Sequence, residues 1–246
     1  FPILVNSTNL PDAIPKPEIQ KEKYNDLFVE IKKQNWQIAK SIASDYGINS
    51  IHTYVEWLDI TRPGSKKSFK YLKNFLKKNP NWPKELEIKK KIESSISISS
   101  NSKEVLEWYS INKPITVKGS IDHLEHKLLN GFTENKIQMI RDIWVNKNLT
   151  YKQQRYFIKK YNKYWTNEDN WKRFDRLMWE GKTVSAKRTL LRIKGDYRKL
   201  GEARLALSSR AGNVSSLIKK VPNYLKNDPG LIYERMRWRR KAKLPT

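Results

Sequence analysis

The sequence predicts an all-α protein, arranged as an α-superhelix of short antiparallel helical pairs. From residue 21 onward, apolar residues recur at i, i+3 and i+7, whereas alternation with a period of two is nearly absent. The predicted helices are about 10–15 residues long and are joined by short turns, as in stacked helical hairpins. We expect an extended N-terminal arm over residues 1–20, where four prolines occur without periodicity, and a superhelical domain over residues 21–246.

Apolar stripes place helices along the whole chain. In order, they are Tyr24, Leu27, Phe28 and Ile31; Phe69, Leu72 and Leu76; Ile137, Ile140 and Trp144; Trp171, Phe174 and Met178; and Leu200, Ala203 and Leu207. Each set shares one face of a helix, so these residues are predicted to pack in the core.

Capping and turn residues indicate where the helices begin and end. Capping-box spacing occurs at Thr150–Gln153, Thr166–Asp169 and Asn101–Glu104. Helix ends are predicted at Gly47, Gly131, Gly181, Gly195, Gly212 and the Asp228-Pro229-Gly230 corner. The alternating segment Ile96–Ser99 is short and rich in serine, so it is predicted to be a loop.

A helix–corner–helix segment spans residues 69–93. Pro80 cannot continue the first helix, and Pro83 suits the first position of the next, where its missing N–H costs nothing. Trp82 is predicted to lie largely buried at the corner and to pack on both helices. Its replacement by Ala would then cost about 3–5 kcal/mol.

Composition excludes several classes of site. The chain has no cysteine, which rules out disulfides, zinc–thiolate sites and iron–sulfur clusters. No apolar run approaches the roughly 20 residues that span a bilayer. Because the sequence opens on Phe1 rather than Met, we expect a mature or trimmed chain, from which any export signal would already be missing.

Positive charge is the strongest compositional signal. The formal net charge is +25, and residues 171–246 alone hold 21 Lys/Arg against 6 Asp/Glu, a net of +15. Such a balance attracts polyanions, although the excess of 36 Lys over 14 Arg also fits the codon bias of an AT-rich genome. The candidate anionic-ligand contacts are Arg235, Arg237, Arg239 and Arg240, since guanidinium groups bind carboxylates and phosphates bidentately. Alternatively, some of these arginines pair with acidic residues of a following superhelical turn.

The remaining polar clusters predict no catalytic, metal or cofactor site. His123 and His126, with Asp122 and Glu125, are interpreted as a solvated helix face, where carboxylates keep ordinary pKa values. The segment Arg62–Ser68 lacks the G-x-x-x-x-G-K-[ST] spacing of a phosphate loop. Most of the nine tryptophans are expected in the core, with one or two exposed.

Several motifs, in order, resemble the N-terminal superhelical (U-shaped) region of soluble lytic murein transglycosylases of the alphaproteobacterial type. Residues 75–83 resemble F-L-x-x-N-P-x-W-P, and residues 108–119 resemble W-F-x-x-x-x-P-x-x-x-x-G. Residues 176–181 resemble R-L-L-W-x-G, residues 203–207 resemble A-R-L-A-L, and residues 221–240 resemble V-P-x-x-L-x-x-D-P-G-L-x-Y-E-R-x-x-W-R-R. The resemblance covers residues 22–246.

The resemblance implies a periplasmic, exported parent protein that cleaves the MurNAc–GlcNAc bond of peptidoglycan and leaves anhydromuramoyl ends. The family's catalytic domain carries a Glu-Ser motif followed by Gly-Leu-Met-Gln, and it is expected downstream of Thr246. Here the only Glu-Ser pair is Glu93-Ser94, which matches the superhelix pattern, so this chain alone is predicted inactive. The expected partners are peptidoglycan, bound weakly through charge, and the downstream catalytic domain. The alternative is a basic helical-repeat protein that binds nucleic acid or a protein partner.

Overall fold

The computed structural model describes residues 18–242, which form fourteen α-helices and no strand. The all-α class is therefore confirmed. The helices are α1 (Glu18–Lys32), α2 (Trp36–Asp45), α3 (Asn49–Thr61), α4 (Phe69–Lys78), α5 (Glu85–Ser95), α6 (Ser102–Ile111), α7 (Val117–Leu129), α8 (Lys136–Asn146), α9 (Tyr151–Tyr161), α10 (Asn167–Trp179), α11 (Thr183–Leu190), α12 (Asp196–Ser209), α13 (Val214–Lys219) and α14 (Pro229–Lys241). None of them is long and apolar enough to cross a membrane.

The chain divides into two compact units, Phe1–Ser95 and Ile96–Thr246. Within residues 18–242, the first unit holds α1–α5 and the second holds α6–α14. In each unit the helices pack mainly against their neighbours in the chain, as expected for helical pairs. Helix α1 begins at Glu18, inside the predicted arm, and residues 1–17 of that arm lie outside the described residues.

In the first unit, small residues let α1, α2 and α3 pack closely. Leu27 of α1, Ala39 and Ala43 of α2 and Val55 of α3 form one buried cluster. Phe28, also assigned to the α1 stripe, is 47% exposed and lies at the edge of that face.

A buried carboxylate organises the charges of this unit. Asp59 of α3 is fully buried, and its two oxygens lie 2.7 Å from Lys40 Nζ, 2.7 Å from Lys67 Nζ and 3.1 Å from Arg62 Nε. Burial opposes ionisation of Asp59, but hydrogen bonds from Lys40, Lys67 and Arg62 outweigh it and hold its pKa below the ordinary value. The segment that follows α3 therefore supplies cations to a carboxylate of the same chain.

The corner between α4 and α5 differs from the prediction in two respects. Trp82 contacts Trp57 and Phe75, with ring centroids 6.3 and 6.4 Å apart, but it is only partly buried. Pro83 does not open α5, which begins at Glu85; instead its carbonyl accepts a 2.8 Å hydrogen bond from Trp57 Nε1. Lys84, with φ of 63°, turns the chain into the helix, so the corner is longer than the sequence suggested.

In the described residues of the second unit, buried clusters follow one another in chain order. The first surrounds Trp144 between α7, α8 and α9; the second joins α10 to α11 around Phe174; the third joins α12 to α13 and α14 around Leu200. The predicted stripe residues Ile140, Met178, Ala203 and Leu207 are all buried, but Ile137 of the α8 stripe is 46% exposed, so its predicted place in the core is wrong.

The predicted caps are largely confirmed. Thr150–Gln153 and Thr166–Asp169 form complete capping boxes at the starts of α9 and α10. Asn101 accepts a hydrogen bond from the Glu104 backbone N–H at the start of α6, and the segment from Ile96 to Ser100 is a loop.

Three predicted helix ends are wrong. Gly195 does not end α11, which stops at Leu190; it is the N-cap of α12. Asp228-Pro229 opens α14, because the Asp228 side chain accepts a 2.8 Å hydrogen bond from Leu231 N and Pro229 occupies the first position. At the end of α12, Arg210 rather than Gly212 adopts the left-handed conformation, with φ of 56°.

Two arginines of α10 cap the C-terminus of α8. Arg173 Nη1 donates to the carbonyls of Trp144 and, at 3.0 Å, Lys147, while Arg176 Nε donates to the Val145 carbonyl at 2.7 Å. These are carbonyls that a helix end leaves without an intrahelical partner. Arg173 is fully buried and forms no ion pair with a carboxylate of the described residues, so the negative end of α8 takes the place of a counterion.

Candidate functional site

The four predicted anion-contact arginines all lie on α14 but do not converge on one face. At 100° per residue, Arg235 and Arg239 lie one turn apart on the same side, while Arg237 points to the opposite side. Arg235 and Arg240 are exposed, and Arg237 Nη1 lies 3.8 Å from Glu234 Oε2 within the same helix. Their role as ligand contacts stays a prediction.

A buried arginine anchors α14 to the rest of the unit. Arg204 of α12 is 1% exposed, and its Nη1 lies 2.6 Å from Asp175 Oδ1 of α10 and 3.4 Å from Asp228 Oδ1 at the start of α14. Gly230 leaves the space that the Arg204 guanidinium fills, since a Cβ there would overlap its atoms. Arg204 therefore ties α10, α12 and α14 together.

Aromatic rings and a third carboxyl complete the surroundings of Arg204. Its Cζ lies 5.7 Å from the Trp171 ring centroid and 5.9 Å from that of Trp179. Glu234 is buried nearby, and burial raises the pKa of its carboxyl. Trp179 is 50% exposed and packs against Tyr233, with ring centroids 5.0 Å apart. It is the one exposed tryptophan among residues 24–242, but only Trp108 and Trp144 are buried and the other six are partly exposed, so the prediction that most tryptophans lie in the core is wrong.

The interpretation of the His123–His126 segment as a solvated face is wrong. His126 is fully buried, with Nε2 3.0 Å from the Ser97 carbonyl and Nδ1 2.7 Å from Ser102 Oγ. The carbonyl can only accept, so Nε2 carries the proton and Nδ1 accepts from Ser102. His123 stacks on Tyr109, with centroids 4.6 Å apart, and burial and then Lys127 lower its pKa to about 4.

The neighbouring carboxylates are also not freely solvated. Glu125 is 5% exposed and accepts hydrogen bonds from Tyr156 at 2.9 Å, from Tyr161 at 2.5 Å and from Lys160. Burial raises the pKa of Asp122 despite its hydrogen bond from Lys118. Glu125 is fully engaged in packing α7 on α9, and Glu93 of α5 is 1% exposed. Across the described residues, no group of three or more His, Asp or Glu is placed to hold a metal ion.

Helix α9 presents a cationic stripe that the sequence analysis missed. Lys152, Arg155 and Lys159 lie at i, i+3 and i+7 on the exposed side, opposite the buried side formed by Gln154, Phe157 and Tyr161. With Arg192, from the loop after α11, they line a cleft of about 490 Å³. None of the four cations forms an ion pair with a carboxylate in the described part of the chain.

A second cleft, of about 550 Å³, also has Arg192 in its wall. Its other lining residues are mostly neutral and include Asn162, Trp165, Thr166 and Asn170. Its rim is held in place because Asn167 Oδ1 accepts from the Lys194 N–H at 2.8 Å. The stripe on α9 was readable from sequence spacing, but the contribution of Arg192 depends on tertiary packing.

Comparisons with known proteins found no match. Neither the protein-family models nor the curated proteins nor the solved structures gave a match to this chain.

Proposed function

We propose that this chain is a non-catalytic superhelical scaffold of a periplasmic peptidoglycan lytic transglycosylase. The parent enzyme would cleave the MurNAc–GlcNAc bond and form anhydromuramoyl ends with a catalytic domain outside this chain. The scaffold would hold peptidoglycan strands weakly, through its basic surface.

The observation that carries this proposal is the Arg204 cluster. Three of the segments that resemble the transglycosylase scaffold are R-L-L-W-x-G, A-R-L-A-L and D-P-G-L-x-Y-E-R. Asp175 directly precedes the first, Arg204 belongs to the second, and Asp228 and Gly230 belong to the third; all meet at one point. Residues that depend on one another sterically form a more specific signature than isolated Trp- or Arg-rich helix ends.

Binding to purified sacculi tests the proposal. We expect the protein to co-sediment with sacculi and the bound fraction to fall as salt is added, since charges farther apart than about 8 Å are screened at physiological ionic strength. Double-stranded DNA at the same salt concentration is the control, because a net charge of +25 attracts any polyanion. Tight DNA binding with no affinity for sacculi would favour the alternative that the protein binds nucleic acid. The net positive charge is the observation that supports this alternative.

A pair of charge-matched variants asks whether α14 makes the contact. One replaces Arg235, Arg237, Arg239 and Arg240 with Ala, and the other replaces the exposed Lys66, Lys70, Lys77 and Lys78 with Ala. A larger loss of sacculus binding in the arginine variant would support a contact on α14. Equal losses would mean that only diffuse charge is involved.

The proposal also assigns the chemistry to a domain outside this chain. We expect the chain alone to release no anhydromuropeptides from sacculi. Glu93, its one Glu-Ser glutamate, is buried in α5. Release of anhydromuropeptides by the purified chain, and loss of that release in Glu93→Gln, would contradict this assignment.

A further inference from the structure

We infer that the two clefts that meet at Arg192 form one binding site for an acidic, acylated saccharide–peptide. Carboxylates of the peptide would lie against α9, and a neutral acylated sugar would lie beside Trp165. This inference rests on the proposed function, because it identifies a peptidoglycan fragment as the ligand.

The cleft beside α9 has the chemistry of a carboxylate site. Lys152, Arg155, Lys159 and Arg192 supply four of its six lining residues and form no ion pair within the described residues. Lys160, the next residue of α9, is by contrast paired with the buried Glu125. The helix thus separates a cation that stabilises the fold from cations left for an external anion, and both Arg155 and Arg192 can bind a carboxylate bidentately.

The second cleft offers a fixed hydrogen-bond donor instead. Asn170 is 7% exposed, and its Oδ1 accepts a 3.0 Å hydrogen bond from Trp144 Nε1. This bond fixes the amide orientation, because the indole N–H can only donate. Asn170 Nδ2 is then a donor in the cleft wall with no acceptor among the described residues. A carbonyl oxygen, as in an N-acyl group, is the partner that it lacks.

Trp165 contributes an indole ring to the wall of the same cleft, and this ring is also parallel to that of Phe157, with centroids 5.9 Å apart. It is partly exposed, and its ring is held parallel to Trp144, with centroids 4.3 Å apart and an interplanar angle of 6°. Packing on Trp144 fixes the ring before a ligand arrives, so little side-chain entropy is lost on binding. An indole with a neighbouring amide donor suits an acylated saccharide.

The separation of charge along the two clefts distinguishes the candidate ligands. A nucleic acid carries a phosphate on every nucleotide and calls for cations along the whole path. Here four cations line the first cleft, whereas the second adds only Lys194 to the shared Arg192 and is otherwise uncharged. A ligand with carboxylates at one end and neutral acylated rings at the other fits this pattern better.

Titration with soluble fragments tests the inference. The probes are a GlcNAc–MurNAc disaccharide bearing its stem peptide, the same compound with its peptide carboxylates amidated, and a single-stranded oligonucleotide. We expect the first probe to bind most tightly, with the tryptophan fluorescence of the protein changing on binding. Replacing Arg155, Lys159 and Arg192 with Gln should raise Kd for the first probe about tenfold, and should affect the amidated probe less.

Two further variants make the outcome specific. Asn170→Asp keeps the oxygen that accepts from Trp144 Nε1 but removes the Nδ2 donor. It should raise the Kd of both disaccharide probes about fivefold. The control variant replaces three exposed lysines of α4 and the loop before it with Gln: Lys66, Lys70 and Lys77. It removes the same amount of charge and should leave the Kd of the probes unchanged.

Equal losses from the two triple variants, or no binding of the first probe, would overturn the inference. The Arg155/Lys159/Arg192 variant could still bind sacculi and show an unchanged Kd for the disaccharide. That result would reject this site but would not contradict the scaffold function. Tighter binding of the oligonucleotide, lost in the same variant, would instead assign the clefts to nucleic acid.

Discussion

At the scale of single residues, Arg173 shows how a buried cation can be stable without an acidic partner. Burial, and then the neighbouring Arg176, lowers its pKa to about 9, which still leaves the guanidinium charged at neutral pH. Its Nε and Nη2 have no hydrogen-bond partner among the described residues, so the bonds from Nη1 to the end of α8 carry its stabilising role.

We predict that Arg173→Met lowers the free energy of unfolding by about 2 kcal/mol, because it removes the donor to the Trp144 carbonyl and the guanidinium that lies 4.5 Å from the Trp144 ring centroid, while the Lys147 carbonyl keeps its bond from Leu149 N–H. Thermal unfolding would measure the effect. Arg235→Met, on an exposed side of α14, is the matched control and should change stability by less than about 0.5 kcal/mol. Similar melting temperatures for both variants would show that α8 does not depend on this cap.

The lowered pKa of Asp59 predicts that the stability of the folded protein depends on pH. The pKa of Asp59 is lowered in the folded state, so its contribution to stability is complete above the unfolded-state pKa of about 4 and is lost as pH falls through the folded-state value. We expect Asp59→Asn to lower the melting temperature markedly at pH 7. The difference from wild type should shrink as pH falls below 4, and a difference that stayed constant down to pH 2 would contradict the ion-pair account.

At the scale of helices, the partial burial of Trp82 determines how much its side chain contributes to stability. Trp82 is partly exposed, so the cost of Trp82→Ala should be about 2 kcal/mol, below the range for a core tryptophan. Trp179→Ala, at the exposed tryptophan, is the comparison and should cost less. A loss in the Trp82 variant as large as that of a fully buried aromatic residue would show that the corner closes further in solution.

The docking of α14 depends on the absence of one side chain. Gly230→Ala would place a Cβ inside the volume of the buried Arg204 guanidinium, and we expect it to cost on the order of 3 kcal/mol. Gly212→Ala is a matched control, since its φ is not positive and a Cβ there meets nothing within 4 Å. Chemical denaturation of the two variants would compare them, and an equally small effect would mean that α14 does not dock on Arg204.

At the scale of the molecule, patterns of local origin were predicted well. The helical class, the stripes around Trp144 and Phe174 and the capping boxes at Thr150 and Thr166 all depend on residues within one or two turns of each other. Sequence spacing carries that information directly.

The burial of polar residues was not predicted, because it depends on distant partners. His126 and Glu125 appear solvent-facing in sequence, yet Ser102 lies 24 residues before the histidine and Tyr161 lies 36 residues after the glutamate. Arg192 joins the cleft on α9 for the same reason. Charged residues that look alike in composition therefore divide into buried pairs and free surface cations only once the helices are packed.

The three cations around Asp59 have a consequence for how the protein should respond to chemical modification. Basic residues outnumber acidic ones by 50 to 25 in this chain, and two carboxylates of the described residues pair with more than one of them: Asp59 with three, and Glu180 with both Arg176 and Lys182. Acetylation of one of those lysines leaves its carboxylate still paired, whereas amidation of the carboxylate strands every cation around it. In the folded protein a carboxyl-directed reagent can reach the exposed Glu180 but not the fully buried Asp59, so amidation of Asp59 should require unfolding and should then prevent refolding, whereas acetylation of Lys40 or Lys67 should not.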